Sequence, residues 1–223
     1  LQNDSTKHVV AIFDDSSVFK NLLINTKLKT ISDYGAGKKN LQKGLLSSGF
    51  TEFNYFAYDP AFPEYGQPVP ADLVCCIDVM EHIEYSKLKD VFNEMYRVLK
   101  KGGLFRFSMP DYDCDVLYNR SEKNEKGELI FDSGGGGSYD RVNKKVINGG
   151  HVWFPTYISV KKLLETTNFE EEKINYLHYY DENKNPIMNK IDYSLGYIKR
   201  TPDNDKRVQN PRRPMSIVVD CYK

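Results

Sequence analysis

The sequence predicts an α/β fold, a doubly wound and mostly parallel sheet with helices on both faces. Three observations predict it. Strand-like and helix-like segments alternate through the first half of the chain, the pattern that builds parallel sheets through crossover helices. Leu73 to Ile77 is an unbroken apolar run, as a strand buried on both faces requires. Three runs end in polar or glycine residues, at Asp33-Tyr-Gly-Ala-Gly37, at Asp59 and at Asp78-Val-Met-Glu-His82. In a parallel sheet such breaks share the carboxyl edge, where ligands bind.

The elements follow in order. Ser16-Ser17 caps a helix carrying Val18, Phe19, Leu22 and Leu23 at helical spacing. Lys29 to Asp33 is a strand broken by the glycine turn, Leu41 to Ser48 a helix stopped by Gly49, and Phe53 to Tyr58 a second strand. Residues 61–71 hold three prolines and a glycine, too many for a useful helix. After Leu73 to Ile77, the residues Leu88, Val91, Phe92, Met95, Val98 and Leu99 trace one helical face, with Gly102-Gly103 as its end and Leu104 to Met109 as the next strand. A helix capped by Thr156 or Ser159 runs to about Thr167, and Lys173 to Tyr180 and Ser216 to Tyr222 are the last strands. Two long insertions, 112–150 and 181–214, each begin after a strand and so start on the ligand edge.

At 223 residues the chain is read as one domain, 1–223, with a cofactor-type half over 14–111. Its 31 basic and 31 acidic residues cancel. No global field gathers nucleic acid or an acidic membrane, so a charged partner must meet a local patch. Cys75, Cys76, Cys114 and Cys221 form no C-x-x-C pair. They read as small core residues of a cytoplasmic protein, with neither a disulfide framework nor a metal site. The longest early apolar run, Val9 to Phe13, is too short for a signal sequence or a membrane span. His8 lies in a segment that the pattern leaves unassigned.

Gly35 and Gly37 admit close backbone approach by a ligand, or simply make a tight turn. A dinucleotide fingerprint wants a third glycine at position 40, where Asn40 stands. Asp59 sits where a ribose-binding carboxylate belongs, or serves as a turn-forming Asp before Pro60. With Asp78-Val79-Met80-Glu81-His82-Ile83 added, residues 29–111 resemble the class I S-adenosylmethionine-dependent methyltransferases, including Leu99-Lys-Lys-Gly-Gly-Leu104 between helix and strand.

The resemblance implies a Rossmann-like sheet with an antiparallel last strand, and methyl transfer from the sulfonium of S-adenosylmethionine to leave S-adenosylhomocysteine. It implies Asp33 near the methionine amino group, with Gly35, Ala36 and Gly37 alongside. Asp59, with Pro60, would lie at the ribose, and Asp78-Val79 at the cofactor border. The prolines between Asp59 and Asp78 leave the third strand reduced, with Phe62 or Tyr65 covering the adenine.

For catalysis His151 is the leading general base, returning from the first insertion after Gly149-Gly150; the alternative is a structural histidine beside Trp153. Asp111 assists from the end of a strand or makes a turn, and His82 acts in chemistry or only starts a helix. His178 reads as structural. Arg200, Arg207, Arg212 and Arg213, with Tyr157, are read as binding an anionic small-molecule acceptor. A solvated mixed-charge loop is the alternative for the arginines.

Chains of this shape look like the methyltransferases of bacterial surface-polysaccharide clusters. Methylation of RNA or protein, a non-catalytic cofactor-binding partner protein, and a distant NAD-dependent oxidoreductase are the other readings. The oligomeric state is left open.

Overall fold

A computed structural model describes residues 6–10, 29–47, 49–59, 61–76, 79–193 and 198–223. Pro60, Asp78 and the helix expected around residues 16–23 lie outside the described residues. The core is an eight-stranded sheet. Its strands are β1 (Thr6–Val10), β2 (Thr30–Tyr34), β3 (Asn54–Tyr58), β4 (Leu73–Cys75), β5 (Leu99–Pro110), β10 (Ile174–Tyr180), β11 (Pro186–Met188) and β12 (Ser216–Tyr222). They lie in the order β11-β10-β12-β5-β1-β4-β2-β3. The pairs from β5 to β3 are parallel, whereas β12 runs antiparallel to β5 and β10. The carboxyl ends of β2, β3, β4 and β5 therefore meet on one edge.

Alternation in β12 divides the two faces of the sheet. Ile217, Val219 and Cys221 enter the main core, whereas Val218 packs with Ile191 and Ile198 on the other side. The main core takes helix α2 (Tyr85–Val98) through Leu88, Phe92 and Met95. It takes helix α4 (Tyr157–Leu164) through Val160, Leu163 and Leu164. The short helix α1 (Asn40–Ser47) buries Leu45. All four cysteines are buried free thiols. Thr156 caps α4 in a reciprocal box with Ser159, so both expected caps act together.

Two placements differ from the sequence expectation. Helix α2 ends at Val98 rather than at Gly102-Gly103, and β5 starts at once with Leu99. The two glycines sit inside the sheet: Gly102 N donates to Lys223 O (2.6 Å) and Lys223 N to Gly103 O (3.0 Å). The sequence pattern assigns no strand to residues 6–10, yet β1 stands there between β4 and β5. Its sequence Thr-Lys-His-Val-Val carries two charged or titratable residues in five, too little apolar signal for the pattern to register.

Between β5 and α4, residues 111–156 hold a short helix α3 (Asp115–Arg120) and two hairpins. The hairpins are β6 (Glu122–Lys123) with β7 (Leu129–Phe131), and β8 (Ser138–Asp140) with β9 (Lys145–Ile147). Between β3 and β4 the chain makes one 3-10 turn, Pro63–Tyr65. Among the described residues no helix is long and apolar enough to cross a membrane.

Candidate active site

The glycine turn after β2 is fastened to β3. Gly35 N and Ala36 N donate to Tyr58 O at 2.8 and 3.0 Å, and Gly37 N donates to Asp59 Oδ2 at 2.8 Å. The other Asp59 oxygen accepts from Ala61 N at 2.8 Å. The carboxylate thus shapes its own turn, as the turn-forming reading expects, and also holds the glycine loop. Gly35 takes φ +81°, and a Cβ there would stand 2.5 Å from Val79 Cγ2. Only glycine lets the loop close on Val79.

Asp33 is buried and accepts a hydrogen bond from the Tyr55 hydroxyl, a partner that no spacing in the sequence points to. Burial, opposed by that hydrogen bond and reinforced by the nearby Asp59 charge, raises its carboxyl to about 6. Phe62 and Tyr65 stack with ring centres 5.3 Å apart, and the Tyr65 hydroxyl donates to Gly37 O at 2.9 Å.

A second group forms beyond β4, where residues Met80–His82 make a 3-10 turn that presents buried Glu81 and half-buried His82. Trp153 Nε1 donates to Met80 O and Val152 N to Glu81 O, both at 2.9 Å. These bonds bring His151 onto the turn although 69 positions separate it from His82. The two imidazoles meet edge to face at 4.8 Å, and His151 Nε2 lies 3.8 Å from Glu81 Oε1. On its other side His151 Nδ1 is 2.5 Å from the Tyr112 hydroxyl, which donates to Asp132 Oδ2 at 2.6 Å. Arg120 Nη2 reaches the same oxygen at 2.6 Å.

The direction of this chain settles the histidine tautomer. Asp132 is held below the usual carboxylate range: burial raises it, but the Arg120 and Tyr112 hydrogen bonds and the Arg120 charge together outweigh burial. As an ionised acceptor it takes the single hydroxyl proton of Tyr112. His151 must then donate from Nδ1, which leaves the lone pair on Nε2 facing Glu81. Burial first, then the neighbouring His82, pushes the His151 imidazole down to about 4, so it is neutral at physiological pH.

The other expected site residues are placed differently. Both oxygens of buried Asp111 hold backbone N–H groups, of Asp113 at 3.1 Å and Tyr180 at 3.2 Å, and burial raises its carboxyl to about 7. That is the turn reading. Arg207 forks onto Asp205, Arg212 reaches Asp203, and Arg213 forks onto Asp115, at 2.6 to 3.0 Å. These three guanidiniums are engaged with internal carboxylates and fasten the second insertion. Arg200 differs, with Nη1 3.8 Å from Glu81 Oε1. Tyr157 stacks on Tyr179 at 4.1 Å and meets Tyr176 edge-on, in an aromatic group of its own. His178 is buried in β10, as expected of a structural histidine.

A hollow of about 500 Å³ lies against the hairpins and is lined by Lys123, Lys126, Lys144 and Arg141, the last paired with Glu122, together with Asn124, Glu125, Tyr139 and Ile130. A second, of about 400 Å³, shares Ile130, Tyr139 and Lys144 with it and extends to Glu84, Val152 and Phe154. Val152, at the edge of this second hollow, donates its backbone N–H to Glu81 O.

The glycine loop at β2 and β3 and the buried acid-and-histidine group at β4 both stand on the carboxyl edge of a parallel α/β sheet, where ligands bind. A family model described as a methyltransferase domain matches residues 16–174. The chain belongs to that family.

An S-adenosylmethionine-dependent methyltransferase from Mesorhizobium loti shares the fold, with a TM-score of 0.54 at 14% identity over 100% of this chain and 94% of that one. Two further likenesses are weaker. The S-adenosylmethionine-dependent methyltransferase SibL in its apo form gives a TM-score of 0.48 at 11% identity, over 99% of this chain and 51% of that one. PigF with SAH gives 0.49 at 10% identity, over 97% and 50%. This chain thus spans about half the length of SibL and of PigF. No curated protein matches it.

Proposed function

We propose that this protein transfers the methyl group of S-adenosylmethionine to an oxygen of a small anionic acceptor. The acceptor class is a sugar, a nucleotide-linked sugar, or a phosphate or phosphoramidate group destined for a bacterial surface polysaccharide. One observation carries the reading. The buried network Arg120–Asp132–Tyr112–His151–Glu81 stands on the same sheet edge as the Asp33–Gly37 loop and Asp59. The 111–156 connection supplies four of its five members, all but Glu81, so the extra chain length is spent on the acceptor side.

In this reading Asp33 pairs with the methionine ammonium, the Gly35–Gly37 backbone flanks the amino-acid moiety, and Asp59 holds the ribose. Phe62 and Tyr65 cover the adenine where the family's third strand is reduced to a turn. The acceptor oxygen contributes a lone pair to the methyl carbon as the carbon–sulfur bond breaks, and that electron pair returns to sulfur to give the thioether. Alignment supplies much of the rate, and the acceptor proton is handled at the Glu81–His82–His151 group. Lys126 and Lys144 in the groove, with Arg200 beside Glu81, support an anionic acceptor. Four reduced, buried cysteines support a cytoplasmic setting.

The test is incubation with S-adenosylmethionine and a panel of phosphorylated sugars and nucleotide sugars, read by mass spectrometry. A one-methyl mass gain with stoichiometric S-adenosylhomocysteine supports the reading. Turnover on RNA or protein only, or on nothing while the cofactor binds, contradicts it.

A further inference from the structure

We propose that Glu81, His82 and His151 together hold a divalent transition-metal ion. One ligand atom from each lies within 4.8 Å of the other two. Bonds of about 2.0–2.2 Å to nitrogen and oxygen put ligand atoms about 3–3.5 Å apart, so small side-chain rotations close the three around an ion. Two imidazoles and one carboxylate suit the manganese, iron and zinc class better than magnesium or calcium, which favour all-oxygen sets. Nothing in the sequence spacing announced the site, because the third ligand comes from the far side of the first insertion.

The surroundings are built as a metal-ligand histidine needs them. His151 Nδ1 is committed to Tyr112, which is held by Asp132 and Arg120. An outer carboxylate of this kind fixes the ring and turns the other nitrogen inward. That nitrogen, Nε2, faces Glu81 Oε1 at 3.8 Å. The ring is also walled in: a Cβ on Gly135 would lie 2.5 Å from His151 Cγ. The two ligand segments are tied together through Val152 N to Glu81 O and Trp153 Nε1 to Met80 O. Arg200 Nη1 stands 3.8 Å from the same Glu81 oxygen.

The purpose of the ion rests on the proposed acceptor reading; its binding does not. Coordination lowers the pKa of an acceptor hydroxyl, its proton passes to water, and the resulting oxygen anion attacks the methyl carbon. His151 is then a ligand, and the ion takes the place of a general base.

The experiment is a manganese titration of chelator-treated protein, followed by loss of the free-ion electron paramagnetic resonance signal. One ion per chain at micromolar affinity is expected, weakened at least tenfold in Glu81→Gln and His151→Ala. Circular dichroism and S-adenosylhomocysteine titration report whether each variant still folds and binds cofactor. Should the variants unfold, the wild-type manganese complex decides the matter through spin-echo modulation from imidazole nitrogen. Absence of stoichiometric binding, binding that survives in folded variants, or a complex without nitrogen modulation overturns the site. Cofactor binding measured in the same samples separates that failure from failure of the methyltransferase reading.

Discussion

Asp33 shows what burial does to the carboxylate proposed to meet the cofactor. With its carboxyl raised to about 6 by burial, it is protonated in mildly acidic solution, and it must ionise to pair with a methionine ammonium. Affinity for S-adenosylhomocysteine therefore rises as pH climbs through 6, by up to about tenfold per unit below that point. Calorimetry between pH 5 and 7.5 checks the slope, and Asp33→Asn should flatten it while weakening binding.

Tyr112 makes a different argument. Tyr112→Phe keeps the ring but cuts the link between Asp132 and His151. Loss of such an orienting partner costs about 10- to 100-fold in activity or metal affinity, with cofactor affinity unchanged. An equal loss in both would place Tyr112 in the general fold instead. Neither Tyr55 nor Tyr112 was legible as a site residue, since a tyrosine within a strand or after one looks the same whether its hydroxyl meets solvent or a carboxylate.

At the scale of elements, the seam between β5 and β12 carries a buried charge pair. Arg106 Nε and Nη2 meet the two Asp220 oxygens at 2.7 Å, and Nη1 reaches Asp192 O at 2.6 Å. Arg106→Met leaves Asp220 buried without its partner and should cost about 3–5 kcal/mol in denaturant unfolding. Arg106→Met with Asp220→Leu should recover most of that. Full additivity of the two losses would show that the pair is not coupled. The cap of α4 is a smaller lever: Thr156→Ala removes half of the box and should cost about 1 kcal/mol.

The long apolar elements were the legible ones. The Leu88–Phe92–Met95 stripe and the continuous runs of β4 and β12 announce burial directly. The polar strand β1 and the start of β5 were not legible. In both, a partner strand rather than side-chain pattern decides the conformation, as Lys223 does for Gly102 and Gly103.

Over the whole molecule, a net charge of zero conceals a local division. Three arginines expected to meet substrate are neutralised by aspartates of the second insertion and of α3, while the basic groove lies by the first insertion. Arginine pairs in sequence advertise positive charge; only the fold shows which carboxylate lies within reach. If the groove carries the acceptor, Lys126→Glu with Lys144→Glu raises the acceptor KM at least tenfold and leaves cofactor affinity alone. Steady-state kinetics on the acceptor found in the panel checks this, and an unchanged KM would move the anion site elsewhere.

The glycine loop and Asp59 were readable as a pair because each ends a recognisable strand. The Glu81–His82–His151 group was readable only in pieces, since it is closed by residues distant in sequence. The most direct measurement on the central claim is calorimetric titration of the protein with S-adenosylhomocysteine, with NADH alongside and Asp59→Ala as the comparison. The account predicts micromolar binding of the former alone, weakened in the variant. No binding, a preference for NADH, or full affinity in Asp59→Ala would contradict it.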